Sequence, residues 1–235
     1  MLAASGLATS ALAQSAGSNY KPNYRTSPLD GSKIAVPTKE QLAFQDNEIG
    51  VLIHFDPSQY LGLDGCNADP DLVPKPELFD PVSLDTDQWM DAASSLGAKF
   101  ATFVAKHNCG FATWPTEITF PVGDDATHEY NYTVTESPVH GFDIVKSFKE
   151  SAEEKSIKRG IYYSLNVNNF LNVQDWSVGD GPLAWGQIGI TNETYNDIVM
   201  SQLTEIWSGY GDLTEVGYRH LRWAQGATSN TAVHS

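Results

Sequence analysis

The chemistry of this 235-residue chain is concentrated in three short stretches that each follow an apolar run. The first is Ile53-His54-Phe55-Asp56, at the end of Gly50-Val51-Leu52. Side chains two apart on a strand point to one side, so His54 and Asp56 can face a common pocket. The second is Lys106-His107-Asn108-Cys109-Gly110-Phe111, with Trp114 and Pro115 close behind. The third is Tyr162-Tyr163-Ser164, followed by Asn166 and Asn168. Imidazole, amide and phenol groups give and accept hydrogen bonds without fixed charge, and an indole beside them is an apolar wall. A neutral sugar fits such a pocket, its hydroxyls on the polar groups and its C–H face on the ring. The same His54, Asp56 and His107 admit a metal-dependent hydrolase as an alternative. Such sites usually take three or more ligands in closed geometry, and the spacing of His128 and His140 fits no metal motif. The reading from spacing is therefore no metal and no cofactor.

These stretches need elements to position them. Gly50–Phe55, Lys99–Ala105 and Gly160–Leu165 read as strands buried on both faces, and Leu213–Val216 starts a fourth. A helix opens at Asp85, which with Gln88 makes a capping-box pattern, runs through Trp89, Met90, Ala93 and Leu96, and stops at Gly97. A second, capped by Asp143, places Ile144, Phe148 and Ala152 on one face. A third begins at Asn192 or Thr194, with Ile198, Leu203 and Ile206 inward. Residues 15–45 show neither period and read as an extended lead-in, and 107–141 as one long polar loop. Strand–helix alternation demands parallel pairing with right-handed crossovers. A Gly-rich phosphate turn after the first strand is absent, and the His, Trp and Asn residues sit on the loops after strand ends. The expected fold is α/β, an incomplete (β/α)8 TIM-like barrel of about three and a half units, since a full barrel takes about 250 residues.

Composition narrows the function classes. Fourteen Lys and Arg against 29 Asp and Glu leave a net charge of −15, which argues against nucleic acid and anionic membrane as partners. No apolar run reaches the ~20 residues of a membrane span. Residues 1–14 end in Ala11-Leu12-Ala13-Gln14, similar to a small-residue cleavage site, although no Lys or Arg precedes it. With sequons at Asn131 and Asn192, this gives a secreted glycoprotein as the expectation. In an oxidising compartment Cys66 and Cys109 could pair; two separate buried thiols are the equal alternative.

Taken together, the motifs resemble the α-L-fucosidases, retaining glycoside hydrolases with a (β/α)8-like catalytic barrel. Gly50 to Phe55 looks like that family's Gly-aliphatic-Ile-His-Trp/Phe strand. Gly97-Ala98-Lys99-Phe100, then Lys106 to Phe111 and Trp114-Pro115, is similar to its Gly-Ala-Lys-Tyr/Phe strand running into Lys-His-His-Asp-Gly-Phe and Trp-Pro. Gly160 to Ser164 meets its Gly-Ile-Tyr-Tyr-Ser pattern, and Gln202-Leu203-Thr204-Glu205 with Tyr210-Gly211 resembles its Gln-Leu-x-Glu-Leu helix and turn. The resemblance covers residues 44–216. It implies a fucosylated glycan as partner and a fucose subsite lined by His54, His107, Asn108, Trp114 and Tyr163, with Trp114 as the apolar wall. Asn108 and Cys109 depart from the family's His and Asp. In the family the nucleophile is an Asp ending the fourth strand, in an aliphatic-Trp-aromatic-Asp-Gly pattern. Here Asp212 to Val216 starts that strand, Gly217-Tyr218-Arg219-His220 takes the next positions, and 217–235 contains no Asp or Glu. The organisation expected is a lead-in, the N-terminal half of a catalytic barrel over 46–216, and an aberrant tail over 217–235 that leaves the chain inactive, with a sugar-binding pseudoenzyme as the alternative function.

Overall fold

Strand–helix alternation becomes a four-stranded parallel sheet in the computed structural model, which describes residues 23–63 and 65–217. The candidate leader 1–14 and the tail from residue 218 onward lie outside the described residues. The chain divides into two compact units, one up to Asp46 and one from Asn47.

The first unit corrects the expectation of an extended lead-in. It holds a hairpin of β1 (Asn23–Thr26) and β2 (Lys33–Val36), paired antiparallel, and a short helix α1 (Lys39–Gln45). Asp30 Oδ1 accepts hydrogen bonds from Ser32 N at 3.1 Å and Ser32 Oγ at 2.8 Å, and Gly31 takes φ 72°, so the turn is built locally. Thr38 and Gln41 form a reciprocal capping box on α1. Strands of four residues are too short for a period to register, which is why the sequence alone reads as irregular here.

The second unit contains β3 (Gly50–Ile53), α2 (Thr86–Leu96), β4 (Phe100–Lys106), an antiparallel hairpin β5 (Thr119–Val122) and β6 (Asp125–Glu129), and α3 (Ile144–Glu154). It continues with β7 (Lys158–Tyr163), a small hairpin β8 (Val173–Gln174) and β9 (Ser177–Val178), the long helix α4 (Asn192–Gly209), and β10 (Glu215–Gly217). The sheet order is β3-β4-β7-β10, every pair parallel. The expected 107–141 loop therefore carries a hairpin of its own.

Local signals place these elements. Asp85 accepts from Gln88 N and Gly97 closes α2 at φ 84°; Asp143 accepts from Lys146 N to start α3; Thr191 accepts from Thr194 N to start α4. Helices α2 and α3 pack on one face of the sheet through Met90, Ala93, Ile144, Val145, Phe148 and Ala152, all buried. Phe103 of β4 lies between Trp89 and Phe148, with ring centroids at 5.8 and 5.5 Å. Each fully buried side chain of this size contributes about 1.5–3 kcal/mol. On β3, Val51 and Ile53 join that core while Leu52, facing the other way, is 64% exposed.

Candidate active site

Parallel pairing brings the C-terminal ends of β3, β4 and β7 side by side, and the three chemical stretches of the sequence meet there. His54 follows β3 and His107 follows β4, and their rings stand edge to face with centroids 4.2 Å apart. Tyr162, near the end of β7, lies 6.0 Å from the His107 ring.

A break in the ladder decides which way His107 points. Pairing of β4 with β7 shifts between Val104 and Lys106, the mark of a β-bulge at the strand end. Beyond it, Lys106 pairs with Tyr163 and shares its face, so the next residue, His107, turns to the opposite face, beside Tyr162. A bulge re-aims side chains in this manner and bends the strand locally.

Asp56 is the remaining member. Its carboxylate caps the turn at 57–61: Oδ1 accepts from Ser58 N at 2.8 Å and from Ser58 Oγ at 2.5 Å. Its Oδ2 stands 3.9 Å from His54 Nδ1 and 3.8 Å from His107 Nδ1. Asp56 is 2% exposed, while the side chains of His107 and His54 are 11% and 30% exposed.

The other sequence-predicted residues lie elsewhere. Trp114 is 2% exposed and its Nε1 donates to Glu205 Oε2 at 3.0 Å, so its indole packs in the core and is not an open sugar wall. Glu205 also accepts from Thr116 Oγ1 and Glu117 N, which fixes the Trp-Pro loop to α4. Tyr163 is buried on the helix side, where its hydroxyl donates to Gln202 Oε1 at 2.6 Å. Asn108 is buried, and its Oδ1 accepts from Ser164 Oγ at 2.6 Å. All three are buried and hydrogen-bonded to other protein groups. Sequence reasoning chose Tyr163 where Tyr162 is the residue beside His107. The alternation of β7 distinguishes them once Tyr163 is known to face α4.

Cys66 and Cys109 are disulfide-bonded, closing a separation of 43 residues. That bond holds the loop at Gly65 against the site: a Cβ on Gly65, at φ 82°, would stand 3.2 Å from His107 Nδ1. Asn169 Nδ2 secures the same loop by donating to the carbonyls of Cys66, Asp69 and Leu72.

Lys106 is wholly buried. Its Nζ donates to Ser164 O at 2.7 Å and lies 4.2 Å above the Tyr163 ring. Burial pushes its pKa down to about 7. The unfolded chain, with the ordinary value near 10.5, binds the extra proton between those limits, so stability rises with pH from about 7 upward. The slope from this group approaches about 1.4 kcal/mol per pH unit. Urea titrations at pH 6.5, 7.5, 8.5 and 9.5 should show a steeper rise for the native chain than for Lys106→Met. Parallel curves for the two would show that Lys106 stays charged when folded.

Comparison with known proteins bears on the family and the fold. Residues 71–234 match the α-L-fucosidase family model. The chain is 29% identical over 196 residues to a putative α-L-fucosidase 1 of Oryza sativa subsp. japonica, covering 83% of this chain and 31% of that protein. Against α-L-fucosidase 1 of Arabidopsis thaliana the identity is 26% over 194 residues, again 31% of its length. The crystal structure of a putative α-L-fucosidase from Bacteroides thetaiotaomicron superposes with a TM-score of 0.64 at 26% identity, over 78% of this chain and 40% of that one. The chain thus spans about a third of the curated relatives it matches. With 164 of its residues, 71 through 234, inside the family match, the chain belongs to the α-L-fucosidase family.

Proposed function

We propose that this chain forms the N-terminal part of a (β/α)8 barrel of a retaining α-L-fucosidase and supplies its sugar-recognising side. The observation that carries the reading is the pair of imidazoles, His54 and His107, held 4.2 Å apart at the C-terminal edge of adjacent parallel strands. That edge is where barrel enzymes build their sites. Imidazole nitrogens exchange hydrogen bonds with ring hydroxyls, and Tyr162 adds a phenol at the same edge. Fucosylated glycans are the corresponding substrates, and the negative charge of the chain suits a neutral ligand rather than a phosphorylated one.

Retaining hydrolysis needs two carboxyl groups about 5–5.5 Å apart, a nucleophile and an acid/base. Among the described residues, Asp56 is the acid grouped with His54 and His107. Asp212 precedes β10 and so stands at the start of its strand, away from this edge. Residues 217–235 contribute no Asp or Glu. On this reading the described residues supply sugar-binding groups rather than the catalytic carboxyl pair. The disulfide and the exposed Asn131 sequon support an oxidising, secreted setting; Asn192 is a poorer glycan acceptor because its Oδ1 accepts from Val178 N at 2.8 Å.

Calorimetric titration of the full chain with L-fucose should give saturable binding that His107→Ala abolishes. An aryl α-L-fucoside should be released no faster than background. Folded protein without saturable binding would remove the sugar reading. Turnover within about a hundredfold of an intact relative would show that both carboxyls are present, since losing one raises the barrier by several kcal/mol.

A further inference from the structure

One oxygen at the site has no hydrogen-bond donor among the described residues. Asp56 is 2% exposed and its Oδ2 accepts no hydrogen bond among the described residues. A buried carboxylate oxygen left without a donor is costly, because it has given up water and gained nothing in return. Its sister oxygen is fixed by two bonds from Ser58, itself fully buried, so the carboxylate cannot swing to find another donor. What Oδ2 faces instead is Nδ1 of His54 at 3.9 Å and Nδ1 of His107 at 3.8 Å. Those separations exceed a direct hydrogen bond.

They suit two donors that share an ion. One donor atom from each of His54, Asp56 and His107 lies within 4.8 Å of the others. A point equidistant from three atoms so spaced is about 2.2–2.5 Å from each, a few tenths outside the ~2.0–2.2 Å of zinc–nitrogen and zinc–oxygen bonds. Two imidazoles and one carboxylate, with further positions open to water, form a donor set for a borderline divalent ion rather than for calcium or magnesium. The Ser58 bonds to Oδ1 supply the outer contacts that orient a ligating carboxylate.

We propose that His54, Asp56 and His107 bind one divalent transition-metal ion of the zinc class. Coordination through Nδ1 ties the ends of β3 and β4 together and leaves Nε2 of each ring directed away from the ion. The ion site stands on this geometry alone; only its role beside a sugar rests on the fucose reading. The ion acts as a clip that fixes the two rings, not as a reactant.

The test uses the untagged full chain, stripped with EDTA and dialysed. Zn²⁺ titrated calorimetrically should bind one per chain at micromolar or tighter affinity, and Co²⁺ should give visible d–d bands that Zn²⁺ bleaches. Asp56→Asn should weaken Zn²⁺ at least a hundredfold, and Ser58→Ala about tenfold. His54→Ala, at the most exposed ligand, guards against a folding failure of the Asp56 variant and should weaken binding likewise. His140→Ala, outside the group, should change nothing. No saturable Zn²⁺ binding, or binding that survives both Asp56→Asn and His54→Ala, overturns the proposal. Repeating the L-fucose titration with and without Zn²⁺ separates the two readings. Saturable Zn²⁺ binding with no sugar binding in either titration fails the fucose reading alone, and saturable sugar binding with no Zn²⁺ binding fails the ion site alone.

Discussion

Replacing Gly110 with alanine is expected to lower the melting temperature by roughly 10 °C or more, or to leave the chain unfolded. Gly110 holds φ 94°, a region closed to side chains, at the tight turn after Cys109. A Cβ there would stand 2.2 Å from Asn168 Oδ1, 2.9 Å from its Cγ and 3.0 Å from Phe170 Cβ. Asn168 cannot retreat. Its Oδ1 caps the turn at 169–171 by accepting from Leu171 N, and its Nδ2 donates to Tyr130 OH. Tyr130 OH in turn donates to Gly110 O at 2.6 Å, so the clash falls inside one closed hydrogen-bond circuit. Backbone strain of about 1–3 kcal/mol and overpacking of about 1–3 kcal/mol both apply. At about 2–4 °C per kcal/mol for a chain of this size, the combined cost of about 2–6 kcal/mol gives about 4–24 °C, with the stated shift near the middle of that range. Gly97→Ala is the matched control: its φ is 84° but nothing lies within 4 Å of a Cβ, so only the strain remains. Equal melting temperatures for the two variants would show that the turn at Gly110 relaxes freely.

Removing the disulfide with Cys66→Ala and Cys109→Ala together should lower stability by about 4 kcal/mol, read as a shift of the urea midpoint. That magnitude follows from closing a loop of 43 residues in the unfolded chain. A local effect should accompany the global one. Cys66 is adjacent to Gly65, which borders the His107 ring, and Cys109 is two residues from His107. L-fucose affinity should therefore drop about tenfold under conditions where the variant is still folded. A midpoint shift equivalent to less than about 1 kcal/mol would mean that Asn169, which bonds three carbonyls of the same loop, holds it unaided.

Much of the frame was legible in the residues, because the signals are local. Asp85, Asp143 and Gly97 act within one helical turn, and the helix faces at Met90, Ala93, Ile144, Phe148 and Ile206 follow from a 3.6 period. Alternation of strands and helices forced parallel pairing, and parallel pairing placed the ends carrying His54 and His107 side by side. The hairpins β1–β2, β5–β6 and β8–β9 escaped because strands of two to five residues carry too little period to read.

The orientation of each side chain within that frame belongs to the tertiary structure. Period-two counting holds only along an unbroken ladder, and the irregularity between Val104 and Lys106 shifts the count by one. That shift sends Lys106 into the core, brings His107 beside Tyr162, and leaves Tyr163 bonded to Gln202. Trp114 was readable as an indole near a pocket, but its burial depends on Glu205, 91 positions away, which no local pattern reports. The pairing of Cys66 with Cys109 and the placing of Asp56 Oδ2 between two imidazoles are likewise set by distances across the sheet's edge. Sequence determined which groups arrive at that edge, since propensity and periodicity act through near neighbours. Their facing, burial and partners were decided by packing between segments far apart in the chain.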